Sequence, residues 1–173
     1  MRITKLLIAN RGEIAVRLAR AASEMDIPSV AVYAEDDAAS LHLHKADQAI
    51  ALKGRGASAY LDANQLLRIA YEQGCDAIHP GYGFLSENAS FAAQCEDAGI
   101  RFVGPSAEAL KRFGDKASAR ALALELGVPL VQGTNEPTSL EQARAFMQQL
   151  GPGAAVMLKA LAGGGGRGHA RRA

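Results

Sequence analysis

Residues 6–33 read LLIANRGEIAVRLARAASEMDIPSVAVY, and the patterning of this stretch decides the fold class. Leu6-Leu7-Ile8-Ala9 is a short continuous apolar run, as expected of a strand covered on both faces. Ser29-Val30-Ala31-Val32-Tyr33 is a second such run. Between them Ile14, Leu18, Ala21 and Met25 recur at spacings of four, three and four, the apolar stripe of an amphipathic helix. Pro28 closes the helical region just before the second strand.

Outward from this unit the alternation continues. Ala49–Leu52, Asp76–His79 and Ile100–Val103 read as three further strands. Asp62 caps a helix that carries Leu66, Leu67, Ile69 and Ala70, and 88–98 reads as another. Strand–helix alternation with short links predicts an α/β fold with a parallel sheet and helices on both faces. Such sheets bind ligands beyond the C-terminal ends of their strands. The loops of interest are therefore Asn10–Glu13, Tyr33–Asp37 and Pro80–Asn88. After Val103 the pattern changes. Residues 106–113 and 115–126 read as helices, 130–132 as a short strand, 139–150 as a helix begun by Ser139, and 155–158 as a strand. A domain boundary is expected between residues 104 and 115.

The whole chain has 173 residues, of which 49% are hydrophobic and 21% charged, a globular rather than a disordered composition. Its formal net charge is +1, which points away from nucleic acid as a partner. No apolar run reaches the roughly 20 residues of a membrane span. Cys75 and Cys95 lack metal-ligand spacing and read as buried thiols in a reducing compartment, so a cytoplasmic protein without signal or transit peptide is expected.

Three segments could carry chemistry. Lys159-Ala-Leu-Ala is followed by Gly163-Gly164-Gly165-Gly166-Arg167-Gly168. Glycines let backbone N–H groups approach an anion, and a lysine at the strand end adds a point charge. The alternative for that run is a flexible linker. Gly114-Asp115-Lys116 opens a helix, where an anion would be favoured, but taken alone the simpler reading prevails: Asp115 is an N-cap and Lys116 a solvated first-turn residue. HPGYGFLSEN at 79–88 places His79, Tyr82, Glu87 and Asn88 on a constrained loop at the ligand edge. Its plainer reading is a capping turn with a core histidine. Asn10-Arg11-Gly12-Glu13 has a single glycine, so a dinucleotide fingerprint is absent. Arg17, Arg20 and Glu24 share one helix face and read from spacing alone as solvated. His42 and His44 read as a surface turn without a metal role.

Taken together, LLIANRGEIAVRLARAASEMDI at 6–27, AIHPGYGFLSEN at 77–88, FVGPSAEAL at 102–110, GDKASAR at 114–120, GVPLVQG at 127–133 and LKALAGGGGRG at 158–168 resemble the biotin carboxylase domain of biotin-dependent carboxylases. The resemblance is collinear over almost the whole chain. It implies a Rossmann-like pre-ATP-grasp domain at 1–113 and the beginning of an ATP-grasp domain at 114–173. It implies an ATP-dependent ligase that uses ATP, Mg²⁺ and bicarbonate to carboxylate biotin on a carrier through carboxyphosphate. By position it implies phosphate contacts for Lys116, Lys159, Gly163, Gly164, Gly165, Gly166 and Gly168, and places Tyr82 and Gly83 at the biotin entrance. It sets Arg17, Arg20 and Glu24 at a homodimer interface, against the solvated reading.

The implied partners are a biotin carboxyl carrier protein or domain and a carboxyltransferase, with no nucleic acid and no membrane. Acetyl-CoA, propionyl-CoA, pyruvate and urea carboxylases share this half-reaction, so the acceptor stays open. No catalytic residue and no metal ligand is assigned to this segment. The family pattern continues with Met-Arg where His169-Ala170 stand, which leads us to expect a truncated or frameshifted tail and an inactive isolated chain. Two alternatives are another ATP-grasp ligase of carbamoyl-phosphate or purine type, and a non-catalytic dimerisation or folding module.

Overall fold

In the computed structural model, five parallel strands form one sheet: β1 (Leu6–Ile8), β2 (Ser29–Tyr33), β3 (Gln48–Ala51), β4 (Ala77–His79) and β5 (Arg101–Phe102). The structure describes residues 2–134, 136–159 and 169–172, with residues 159 and 169–172 as backbone only. The chain divides into two compact units, Met1–Lys111 and Arg112–Ala173.

In the first unit the strand order is β3-β2-β1-β4-β5, so the winding reverses between β1 and β4. Helices lie on both faces for that reason. Helix α1 (Gly12–Glu24) packs Ala15, Ala19 and Ala22 against Leu6, Ile8 and Ala77 on one face. Helices α3 (Ala63–Glu72) and α4 (Ala89–Asp97) bring Leu66, Ile69, Phe91 and Cys95 onto Leu7, Val30, Val32 and Ile78 on the other. Leu7 and its neighbours Leu6 and Ile8 therefore point to opposite layers, as the two-residue strand period requires. Asp62 and Asn88 cap α3 and α4 by accepting from the Gln65 and Phe91 amides. The short helix α2 (Gly56–Ala59) precedes α3.

Two expectations need correction here. The stripe Ile14, Leu18, Ala21, Met25 is not the buried face of α1, since Ala21 and Met25 are exposed. The helix turns its alanines inward instead, because small side chains let it sit close on the sheet. His42 does not lie in a surface turn either. It is fully buried in a 3-10 turn (Leu41–His44), with Nε2 3.2 Å from the Val32 carbonyl oxygen.

The second unit holds α5 (Ala107–Gly114, which begins in the first unit), α6 (Lys116–Glu125), α7 (Leu140–Gln149) and an antiparallel hairpin of β6 (Val156–Lys159) and β7 (His169–Arg172). Local capping organises it. Asp115 accepts from the Ser118 amide at 2.6 Å, and Ser139 with Gln142 forms a reciprocal capping box. None of its described residues is buried, and Leu124, Leu126, Val128, Val131 and Leu140 are exposed. The expected strand at 130–132 does not form. Arg120 Nη2 donates to the Val131 and Gly133 carbonyls at 2.7 and 3.3 Å, taking acceptors that a ladder partner would use.

Carboxylates stitch the N-terminal edge of the sheet. Asp76, ahead of β4, accepts from the Thr4 and Lys5 amides at 3.0 and 2.9 Å. Asp47, ahead of β3, accepts from the Ser29 amide and hydroxyl at 2.7 and 3.0 Å. The Ser29 donors hold Asp47 below its ordinary value of 3.8. Burial pushes Asp76 up, but the Lys5 and Thr4 donors outweigh it, and the net direction is again down. A carboxylate depressed in the folded state stabilises the fold above its unfolded pKa, and that contribution is lost as pH falls through the folded value. We expect stability to decline below about pH 4. Asp76→Asn should lower the urea midpoint at neutral pH and flatten the acid limb, measured by circular dichroism. An unchanged acid limb would contradict this assignment.

Candidate functional site at the strand-order reversal

The crevice in question is built by the loops that leave β1 and β4, the neighbours between which the winding reverses. It is lined by Asn10, Arg11, Gly12, Glu13 and Ile14 from one loop and Tyr82, Gly83 and Phe84 from the other, and it encloses about 430 Å³. Open parallel sheets place their ligands at such reversals, because the two loops diverge to opposite faces and leave a gap.

Asn10 joins the two loops. Its side chain is buried, and Nδ2 donates to the Pro80 carbonyl at 2.6 Å and the Tyr82 carbonyl at 3.0 Å. Its Oδ1 accepts from the Arg11 amide at 2.8 Å. Every hydrogen-bonding direction of the amide but one acceptor position is thus used on backbone. Gly81 is required beside it. Its φ is +66°, and a Cβ there would lie 2.6 Å from Ile14 Cγ2 and 2.7 Å from Asn10 Nδ2.

His79 serves the same turn. Burial lowers its pKa, which keeps the imidazole neutral near neutral pH, and Nδ1 accepts from the Gly81 amide at 3.0 Å. Asn88 is the N-cap of α4. The plainer reading of the HPGYGFLSEN loop therefore holds for His79 and Asn88, while Tyr82 projects outward with 71% of its surface exposed.

Beside the crevice lies a charged and aromatic cluster. Arg11 Nη1 donates to Asp37 Oδ2 at 3.1 Å, and the Tyr60 hydroxyl donates to the same oxygen at 2.7 Å. Burial raises the Asp37 pKa, but the Tyr60 hydroxyl and the Arg11 guanidinium more than offset it, so the net direction is down. Burial and Asp37 together push the Tyr60 phenol well above its usual value, which keeps it a donor. Phe84 adopts φ +42°, a conformation that costs a bulky residue roughly 1–3 kcal/mol. Sequence reasoning marked Arg11 and Asp37 only as loop residues and missed Tyr60 and Phe84. Tyr60 stands at the C-cap of a four-residue helix that carries no periodic signal.

The other expected site residues are distributed as follows. Lys116 is the first residue of α6 and is exposed, beside Asp115, whose own carboxylate occupies the helix N-terminus. Lys159 ends β6. Gly163, Gly164, Gly165, Gly166 and Gly168 lie outside the described residues. Arg17, Arg20 and Glu24 are exposed on α1, where Arg17 pairs with Glu13 at 3.5 Å. Burial pushes the Cys75 and Cys95 thiols up to about 11 and about 12, so neither is a nucleophile at neutral pH. A second crevice, along Met147, Gln148 and residues 151–154, has no ionisable lining. Among the described residues no three His, Cys, Asp or Glu side chains converge as a metal site.

Asn10→Ala leaves two carbonyls without their donor and is expected to cost about 1–3 kcal/mol in urea unfolding of the chain. Gly81→Ala combines a left-handed φ with a steric overlap, and should cost at least as much. Unfolding midpoints at wild-type level for both would contradict the role given to this junction.

Comparison with known proteins identifies the family. Residues 2–110 match the family model described as biotin carboxylase, N-terminal domain. The chain is 51% identical over 170 residues to the mitochondrial pyruvate carboxylase of Rattus norvegicus, an alignment that covers 96% of this chain and 14% of that protein. Its fold is similar to that of the biotin carboxylase domain of a single-chain bacterial carboxylase, with TM-score 0.86, 59% identity, and coverage of 90% of this chain and 36% of the other. It is similar also to the biotin carboxylase domain dimer of Hydrogenobacter thermophilus 2-oxoglutarate carboxylase, in complex with MgADP, ADP and bicarbonate, with TM-score 0.89, 41% identity, and coverage of 99% and 38%. The chain thus spans about one seventh of the curated relative and just over a third of these solved chains. With the family model covering the sheet and both loops of the crevice, the chain belongs to the biotin carboxylase N-terminal domain family.

Proposed function

We propose that this chain is the N-terminal part of a biotin carboxylase, the ligase half-reaction of a biotin-dependent carboxylase. In that reaction bicarbonate attacks the γ-phosphate of ATP and displaces ADP to give carboxyphosphate, and the carboxyl group then passes, with release of phosphate, to N1 of biotin on a carrier protein or domain in place of the N1 proton. The carrying observation is the meeting of two loops at the reversal crevice. IANRGEIA and HPGYGFLSEN, the motifs most characteristic of the resemblance, are the two segments that build it. Tyr82 and Gly83 then stand at the biotin entrance, held there by Asn10 and Gly81.

Residues 1–113 are assigned to the pre-ATP-grasp domain and residues 114–173 to the opening of the ATP-grasp domain. Lys116, Lys159 and the glycines at 163–166 and 168 would meet the ATP phosphates, where preorganised positive charge and backbone donors favour transfer. Among the described residues no carboxylate cluster would hold Mg²⁺, whose ligands we place in the remainder of the ATP-grasp domain. A carboxyltransferase domain or subunit would consume the carboxybiotin. The two free buried cysteines accord with a reducing compartment, which we take to be the cytoplasm.

Transfer of label from ¹⁴C-bicarbonate to free biotin with MgATP tests this reading. The 173-residue chain alone should give no labelled biotin. The chain completed with the remaining sequence of a relative's biotin carboxylase domain should give it. A folded, completed enzyme that hydrolyses ATP without labelling biotin would contradict the proposal.

We infer further that α1 supplies a homodimer contact through Arg17, Arg20 and Glu24. Its support is the outward face of that helix, where these charges stand beside Met25 at 62% exposure, and the dimer named for the similar Hydrogenobacter domain. Sedimentation of the completed enzyme should show a dimer that Arg20→Glu weakens at least tenfold in Kd. Equal dimerisation of both forms would contradict this contact.

A further inference from the structure

Phe84 holds a left-handed backbone that its own side chain disfavours, so something outside the loop must hold it there. Two contacts do. The Tyr60 ring stacks on Phe84 with centroids 5.1 Å apart and planes 22° from parallel. The Arg11 guanidinium carbon lies 5.9 Å from the Phe84 centroid and 5.5 Å from that of Tyr60, within reach of cation–π attraction to both. Asp37 fixes both partners in turn, since one oxygen accepts from Arg11 at 3.1 Å and from Tyr60 at 2.7 Å. The Ala34 amide donates to the Tyr60 hydroxyl at 3.1 Å and pins the phenol to the end of β2.

The cluster draws one side chain from each of four segments: the loop after β1, the 3-10 turn after β2 (Glu35–Asp37), the C-cap of α2, and the loop after β4. Its aromatic half belongs to the core, since Tyr60 is fully buried and Phe84 packs against the same apolar cluster, but its charged half does not: Arg11 keeps 39% of its side chain in solvent and Asp37 keeps 19%. Arg11 occupies the N-cap position of α1, where a guanidinium has no acceptor to offer the helix amides. Its guanidinium is committed to Asp37 instead.

We propose that Arg11, Asp37 and Tyr60 are positioning residues that hold Phe84, and through it Tyr82 and Gly83, in the shape that the crevice presents to its ligand. The identity of that ligand as biotin rests on the function proposed above; the mechanical coupling between cluster and loop does not. Asn10 fixes the carbonyls of the loop, whereas the Arg11–Asp37–Tyr60 cluster fixes the side chain two residues beyond Tyr82. The rim is thereby clamped at two points.

Native-state hydrogen exchange of the 173-residue chain tests the coupling. Phe84→Gly removes the ring and relieves the left-handed strain at once. If the ring is only a burden, exchange at the Gly81 and Ser86 amides will be unchanged or slower, and the proposal fails. If the cluster holds the loop, both amides will exchange at least tenfold faster in Phe84→Gly and in Arg11→Met, with Leu7, Ile8 and Ile78 unchanged. Acceleration spread evenly over the sheet would also overturn it. In the enzyme completed as above, Phe84→Leu should raise KM for biotin at least tenfold, by more than it lowers kcat, and Phe84→Tyr should restore it. A loss confined to kcat would contradict positioning. A wild-type completed enzyme that cannot carboxylate biotin, together with localised loop exchange, would overturn the functional reading and leave the coupling intact.

Discussion

The side-chain amide of Asn10 is the interaction on which this architecture turns. It sits where the winding of the sheet reverses, between two strands whose loops depart to opposite faces. The Ala9 amide still donates to the His79 carbonyl at 2.9 Å, and beyond that rung the two loops part. Two hydrogen bonds from one buried nitrogen, to Pro80 and Tyr82, close the gap at its base and leave its mouth open. A buried carbonyl left without its donor costs about 1–3 kcal/mol, more than a hydrogen bond's net contribution, so the Asn10 amide is strongly tied to the loop it spans. Gly81 is the corollary, because a side chain on it would occupy the space the amide uses.

The two edges of the sheet are built on different principles. At the N-terminal edge, Asp47 and Asp76 are spent on backbone amides and hold strand ends in place. At the C-terminal edge, polar groups are left facing a crevice, and a tight ion pair, Arg11–Asp37, is tied to two aromatic rings instead of to the ladder.

Much of the first unit was legible because its signals are local. Continuous apolar runs marked strands whose observed ends differ by a residue or two from the reading, and Asp62, Asn88, Asp115 and Ser139 announced helix starts that the structure places there. The loops of the crevice were legible as well, since topology alone directs attention to the C-terminal edge. Contacts between distant segments were not. Tyr60 and Asp37 meet across 23 positions, and neither carries a pattern that predicts the other. The buried face of α1 was misread because alanine is weakly hydrophobic, so periodicity followed the larger Ile14, Leu18 and Met25, of which the first two are half-buried at the margin of the face and Met25 is exposed. His42 was misread for a related reason: one histidine between Leu41 and Leu43, in a segment with neither helix nor strand period, gives no sign that it is buried. In the second unit the 130–132 run looked like a strand, but Arg120, ten or so residues earlier, captures its carbonyls.

The central claim is that the reversal crevice is the edge at which this polypeptide meets biotin. Hydrogen exchange of the completed enzyme, with and without saturating biotin, measures that directly at the segment 80–88. The account predicts slower exchange in this segment on adding biotin, with β1 and β2 unaffected. Unchanged exchange at 80–88, in an enzyme that still carboxylates biotin, would contradict it.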